Sequence, residues 1–513
     1  MKQIFTFFII VLFSYNMFSQ HVCGINENDI ELITERLLKH KQTLKEGYVP
    51  NKSGNITYLP IRFHIVSNSS GSLGVREEFV LRQLAELNEN YLDQDIQFYI
   101  DSGFNYISNT NAFENPASTA GNIILGNNKL NGRINIYIPQ TASTGGGSIG
   151  TVLGFYSPAN DWIVVRAAEL LNLTSTLTHE MGHFLGLLHP HSGWDAIQYD
   201  PMIHTPTPTV SPSGRLTENQ ARSGSCRNCD VAGDFLCDTP PDYNFGFGWP
   251  DCDYDAGTLD PCGDVVDVLE NNYMSYFLQG CDSYIFTDDQ KQIMDLDVAA
   301  RMNNNSLFSN LEPSTIEPVE GDISVNSPEV GGFSPRYDAV FFNWEDVEGA
   351  TDYIFEYSRV LGGFSGGGRV MISNGESQVL IDEPFLPNTE YQWRIYPYNQ
   401  TSTGYGFSET FTFTTGLSTS VAQLEEVNSF DIIPNLVNNQ DQILLNINST
   451  QSLSIDVQIV DISGRLINNT RSNLINGENN IDLSVSGLNN GVYFVKLQSE
   501  SGIITKRFIV QGN

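Results

Sequence analysis

The 513-residue sequence predicts an α+β domain followed by two small all-β sandwich modules. Three observations carry this expectation. Strand-like and helix-like patterns interleave between residues 55 and 308, and helical periodicity stops near residue 310. Beyond it, short alternating apolar runs recur, with turn residues about every 8–12 positions.

Taken in order, residues 1–20 place Lys2 before an apolar run from Ile4 to Phe13 and read as a secretory signal. That run falls short of the roughly 20 residues a membrane span needs. No comparable run follows, so no transmembrane segment is expected in the mature chain. Within residues 21–54, Ile30, Leu32, Ile33, Leu37 and Leu38 are spaced for one apolar helical face. Residues 55–308 open with the alternating run TYLPIRFHIV and continue through a periodic helix around VREEFVLRQLAELNENYL. They return to strands at IQFYI, INIYI and DWIVV. Residues 311–417 and 428–513 supply the two strand series, which begin at AVFFNW and QILLNI.

Composition narrows the function. Lys and Arg number 26 against 60 Asp and Glu, a formal charge of −34. An acidic surface offers no basic stripe to neutralise phosphates, so nucleic acid is excluded as a partner. Six of the seven cysteines (Cys226, Cys229, Cys237, Cys252, Cys262, Cys281) crowd together, which suggests disulfides in an exported chain; six cysteines allow 15 connectivities.

The chemistry lies in residues 173–193, LTSTLTHEMGHFLGLLHPHSG. His179, Glu180, His183, Gly186 and His189 form H-E-x-x-H-x-x-G-x-x-H. Composition alone would produce that pattern about 2 times in 100,000 such chains. On a helix, His179 and His183 project from one face a turn apart. Glu180 can reach a water without occupying a coordination site. Gly186 can adopt the positive φ that ends the helix and swings His189 back as third ligand. Three protein ligands leave a fourth position open, the arrangement of a catalytic zinc site. His191, two residues on, is a competing third ligand whose offset does not place it on the turn after Gly186.

The extended motif resembles that of the metzincin metalloproteases, and its surroundings resemble the pappalysin/cytophagalysin branch. The matching residues are the N-x-M-x-Y of Asn272–Tyr276, the D-x-x-x-D-T-P of Asp234–Pro240 and Cys281 after the methionine turn. The resemblance covers roughly residues 22–300 and implies a metzincin-type catalytic domain over 55–308. By it, Met274 forms the floor beneath the ligands and Tyr276 hydrogen-bonds the tetrahedral intermediate. Asp234 and Thr239 match calcium-binding positions, and oxygen ligands suit that ion. Asp238 could ligate or cap a turn. The resemblance further implies disulfides Cys237–Cys262 and Cys252–Cys281, leaving Cys226–Cys229.

Cys23 has three readings: a lipoprotein anchor, which Val22 does not fit; a disulfide, which would strand a cluster cysteine; or a latency switch. Relatives begin their propeptide with a C-G pair, matched by Cys23-Gly24, whose thiolate occupies the open zinc position. Residues 21–54 are then a propeptide, with Lys41, Lys45 and Lys52 as candidate activation points. Members that cleave before Arg or Lys carry an acid between methionine turn and cysteine. Here Phe277-Leu278-Gln279-Gly280 stands there, which points to a more apolar or broader preference.

Residues 338–415 resemble a fibronectin type III module, with Trp344, Leu386 and Tyr391 as core and corner residues. Residues 430–513 resemble the C-terminal sorting domain of the type IX secretion system, through D-I-S-G-R at 461–465 and G-V-Y-F-V-K-L at 491–497. The combined expectation is a latent, secreted or cell-surface zinc endopeptidase with structural calcium. Its partners would be protein or peptide substrates and the type IX machinery. The rival from another class is a non-catalytic surface adhesin that binds through its β-sandwiches.

Overall fold

The computed structural model describes residues 21–47, 55–144, 151–277, 281–307, 311–382, 385–418, 424, 426–438, 442–462, 464–499 and 502–511. The signal-like segment, Lys52 and residues 278–280 lie outside them. The chain divides into two compact units, Met1–Glu320 with Tyr398–Gly406, and Gly321–Pro397 with Phe407–Asn513.

The first unit is built on a six-stranded mixed sheet. Its strands are β1 (His21–Cys23), β2 (Thr57–Ser67), β3 (Ile96–Ser108), β4 (Ile134–Ile138), β5 (Thr151–Ser157) and β6 (Trp162–Val165), in the order β1-β5-β6-β4-β2-β3. All residues of β4 and β6 are buried, as expected of inner strands covered on both faces. β5 runs antiparallel to β6, and β1 joins its free edge in parallel. Helices are α1 (Glu27–Lys45), α2 (Glu77–Asn90), α3 (Thr110–Glu114), α4 (Thr119–Asn128), α5 (Ala167–Asn172), α6 (Thr176–Phe184) and α7 (Asp288–Asn303). In α2, Val80, Leu81, Leu84 and Leu87 recur at helical spacing and are fully buried. Between α6 and α7 the described chain is mostly turns, held by three disulfides and an aromatic cluster that includes Trp194, Tyr199, Tyr243, Phe245 and Phe277.

The α1 helix departs from the predicted face. Asn26 caps its start, accepting from Asp29 N, but the buried stripe is Ile30, Ile33, Leu37 and His40. Leu32 and Leu38 are exposed instead. The reason is polar: His40 Nε2 lies 2.9 Å from Oδ1 of the buried Asp297 of α7, and Arg36 Nε lies 3.1 Å from the same atom. Arg301 Nε meets the other oxygen at 2.7 Å. The helix turns this face inward because the ion-pair partners are there.

In the second unit, the strands Gly332–Arg336, Asp352–Arg359, Gly368–Ile372, Glu390–Tyr398 and Phe411–Ser418 form one sheet. A second sheet is formed by Val325–Ser327, Val340–Trp344 and Gln378–Ile381. Phe342 links them, 4.7 Å from Phe355 and 5.3 Å from Trp393 between ring centroids. Trp344 is buried, and Tyr391 OH accepts from Leu386 N at 2.8 Å, a corner that pins the chain entering its strand. Leu386 itself is half exposed, contrary to its expected core role; Phe385 takes the inward position. A further pair of sheets, of three and five strands, spans Val427–Val510 around a core that includes Leu445, Ile447, Val457, Val495 and Phe508.

Burial alone would raise the Asp297 carboxyl, but Arg36 and Arg301 outweigh it and hold it at about 2, against roughly 3.9 in an unfolded chain. Its stabilising contribution is therefore complete above about pH 4 and is lost as pH falls through about 2. Asp297→Asn strands two cationic partners and is expected to cost about 3–5 kcal/mol, read as a lower thermal midpoint of the first unit. An unchanged midpoint would contradict this account of α1 docking.

Candidate metal centre

The α6 helix supplies the first two histidines, and its ends explain their placement. The helix closes in a Schellman turn: Gly186 N donates to His183 O, and Leu187 N donates to Gly182 O, both at 3.0 Å. Gly186 has φ of +93°, the conformation that glycine permits without strain. Two cations reinforce the carbonyl end of the helix. Arg36 donates to His183 O and Phe184 O, and Arg301 donates to Phe184 O at 2.7 Å. Both guanidinium groups complement the negative end of the helix dipole.

The turn returns the chain so that three Nε2 atoms converge. That of His189 lies 3.1 Å from that of His179 and 3.0 Å from that of His183. A tetrahedral zinc with Zn–N near 2.0–2.1 Å spaces its nitrogens by about 3.3 Å, close to this arrangement. Every Nδ1 faces an acceptor: Tyr273 O at 2.7 Å for His179, Leu187 O at 2.8 Å for His183, and Asp195 Oδ1 at 2.6 Å for His189. A carbonyl can only accept, so the imidazoles of His179 and His183 carry their protons on Nδ1. Lone pairs at Nε2 therefore point at a common centre. Burial lowers His179 to about 4 and keeps His183 and His189 well below the usual imidazole range, so all three are neutral ligands. The donor set fits zinc.

Met274 lies under this group, fully buried. Its sulfur lies too close to the place a Cβ on Gly182 would take for both to fit without a shift, so glycine leaves room for it at that point of α6. Asn272 holds the turn: its Oδ1 accepts from Met274 N, and its amide exchanges hydrogen bonds with Gln290. Gln290 belongs to the capping box that Thr287 opens on α7. Tyr276 is buried, with its ring 4.9 Å from that of His189.

Cys23 completes the cluster. Its sulfur and the three histidine nitrogens lie within 4.8 Å of one another. Cys23 N donates to Tyr276 OH at 3.2 Å, and Cys23 Sγ is 3.5 Å from Glu180 Oε2. Gly24 N donates to Gly154 O at 2.8 Å, and a Cβ on Gly24 would collide with Thr144 and Val152. Glycine at position 24 thus suits the close approach to β5. Burial raises Glu180 to about 8, an effect the Cys23 thiol partly offsets; burial and then Glu180 push the Cys23 thiol up.

Asp234 and Thr239 lie together in a buried loop, with Thr239 Oγ1 2.9 Å from each carboxylate oxygen of Asp234. Burial lifts Asp234 to about 7. Glu218 is the residue sequence reasoning missed there: it is buried, and its carboxyl is raised by burial and then by Asp234. Asp238 accepts from Thr287 Oγ1 and Asp289 N at the start of α7 and so braces the Thr287 cap of that helix. His191 stacks on His189 at 4.5 Å without joining the three converging nitrogens. Of the loop expected to set cleavage preference, Phe277 is described and is buried in the aromatic cluster. A cleft of about 670 Å³ beside the His179 support is lined by Glu86, Arg166, Glu169, Tyr273 and Asp282 among others.

The disulfides differ from expectation. Cys226 pairs with Cys262 and Cys229 with Cys237, in place of Cys237–Cys262 and Cys226–Cys229; Cys252 pairs with Cys281. Cα separations of 6.3 and 5.1 Å put the observed partners within bridging reach. Cys229 closes the short loop around Asp234, while Cys226 ties the same turn to the strand-like segment near Asp260.

Residues 431–511 match the family described as Secretion system C-terminal sorting domain. An "Extracellular metalloprotease" of Colletotrichum graminicola is 25% identical over 249 residues, 44% of this chain and 77% of its own length. Among solved structures, the FN1-FN3 domains of chicken CNTN1 match at 16% identity and TM-score 0.18, over 38% of this chain and 68% of that one. The BSP domain of a biofilm associated protein matches at 18% identity and TM-score 0.18, over 37% and 30%. The chain is thus similar to an extracellular metalloprotease in one part and carries a secretion sorting tail in another.

Non-reducing peptide mapping of the purified chain is expected to recover Cys226–Cys262, Cys229–Cys237 and Cys252–Cys281. A Cys237–Cys262 peptide would contradict the loop arrangement around Asp234.

Proposed function

We propose that this chain is a zinc endopeptidase of the metzincin class, of the pappalysin/cytophagalysin branch, made as a latent precursor and exported through the type IX system. The observation that carries the reading is the convergence of three neutral Nε2 atoms beside the buried carboxylate of Glu180. A scaffold would need the histidines alone; it has no use for a desolvated acid at the same spot. The sorting tail at 431–511 and the similarity to an extracellular metalloprotease agree with export and proteolysis.

Zinc, when bound by His179, His183 and His189, supplies a Lewis acid that polarises the scissile carbonyl. The remaining work falls to the protein's own side chains. Glu180 takes the proton of the attacking water and delivers it to the leaving amine. Its raised affinity for protons, set by burial, suits that shuttle. Tyr276 OH, which in the precursor accepts from Cys23 N, is placed to donate to the developing oxyanion once Cys23 departs. The edge of β5, covered by β1 in the precursor, becomes the ladder on which an extended substrate can pair.

Latency follows from the same contacts. The Cys23 sulfur stands at the mouth of the ligand cluster, where a soft thiolate is a good zinc ligand, and it faces Glu180 where a water must sit. Residues 21–47 supply both this plug and the α1 helix that anchors it, so they act as a propeptide. Activation at Lys41 is disfavoured by its place within α1 and its bond to Phe235 O. The loop with Asp234, Thr239 and Glu218 is proposed as a structural calcium site, where a divalent cation would relieve two buried acids at once.

With casein as substrate, Glu180→Ala is expected to lower the rate of the matured enzyme by about 10²–10⁴, and a zinc chelator to abolish it. Retained activity in that variant would refute the role of Glu180. Cys23→Ser is expected to yield an unprocessed chain already able to cleave; a variant as silent as the parent precursor would refute the plug.

A further inference from the structure

The three ligand imidazoles are not held alike. His179 and His183 give their Nδ1 protons to backbone carbonyls, whereas Nδ1 of His189 lies 2.6 Å from a carboxylate, Asp195 Oδ1. The second oxygen of Asp195 accepts from Gly193 N at 2.8 Å, so the carboxylate is clamped by the turn that delivers His189. Gly193 has φ of +102°, and a Cβ there would strike Ser211, which leaves the turn one shape. On its other side the His189 ring is stacked by His191, with rings 11° from parallel. Orientation and donor strength of His189 are therefore set by two residues outside the zinc motif.

We propose that Asp195 is a positioning residue of the metal centre: it fixes the His189 tautomer with Nε2 free and makes that imidazole the strongest donor of the three. A carboxylate accepting from Nδ1–H loads negative charge onto the ring, which neutral carbonyls do less. It also supplies a partly buried negative charge next to three neutral ligands, so a divalent cation is held against a less positive surround. The inference rests on the zinc reading above and deepens it by naming what sets the affinity of the site.

The test uses the full-length chain in a Glu180→Ala background, which cannot process itself, with zinc affinity measured by competition against a chromophoric chelator. Asp195→Asn keeps the size and one acceptor oxygen, and is expected to weaken zinc binding about 10–100-fold. Asp282→Asn removes the same charge from the neighbouring cleft and is expected to shift it less than about twofold, since that residue touches no ligand. The visible bands of the cobalt-loaded chain should move in Asp195→Asn and stay put in Asp282→Asn. Equal affinity in Asp195→Asn and parent, or equal losses in both variants, would overturn the proposal. A parent that binds no zinc would instead overturn the metal-centre reading on which it rests. On the unsubstituted chain, selective histidine ¹⁵N labelling gives an independent readout. The Nδ1 proton of His189 should resonate well downfield of those of His179 and His183; three matching shifts would also overturn the proposal.

Discussion

Three imidazole lone pairs aimed at one buried point are the constraint around which the first unit is arranged. Buried polar atoms without partners are costly, and acceptors facing acceptors have no protein remedy. Every supporting contact makes the convergence tighter: acceptors hold Nδ1 on each ring, Met274 fills the space beneath, and Gly182 leaves room for it. Such an arrangement suits a bound cation.

The rest of the unit can be understood as bracing for that point. Asp297 gathers Arg36, His40 and Arg301, and both arginines continue onto the carbonyl end of α6. One buried carboxylate thus couples the leading helix, the last helix and the helix that carries two ligands. Arg36 belongs to the same leading segment as Cys23, so a cleavage that removed that segment would withdraw one of two cations from the α6 terminus. Arg301, which also meets Asp161 at 2.8 Å, stays behind to hold it. Under the proposed latency, maturation would therefore open the site without dismantling its support.

Much of this was legible in the residues. The histidine spacing fixes a helix with two ligands on one face, and the glycine three places on reads directly as a positive-φ stop. The interleaved strands and helices of the first unit and the alternating strands of the second follow from periodicity of the simplest kind. What escaped depends on long-range partners. The α1 face was misjudged because Leu38 looks more apolar than His40, and only the buried Asp297, more than 250 positions away, reverses the choice. Asp195, Glu218 and Gln290 sit outside any short motif; each matters through a contact that chain spacing does not encode. The pairing of Cys226 and Cys229 with separate partners was equally hidden, since several connectivities satisfy the same spacings.

X-ray absorption at the zinc edge of the secreted, unprocessed chain tests the central claim most directly. Three imidazole nitrogens at about 2.0–2.1 Å and one sulfur at about 2.3 Å are predicted around a stoichiometric ion. A chain without zinc, or an ion surrounded by oxygen alone, would contradict it.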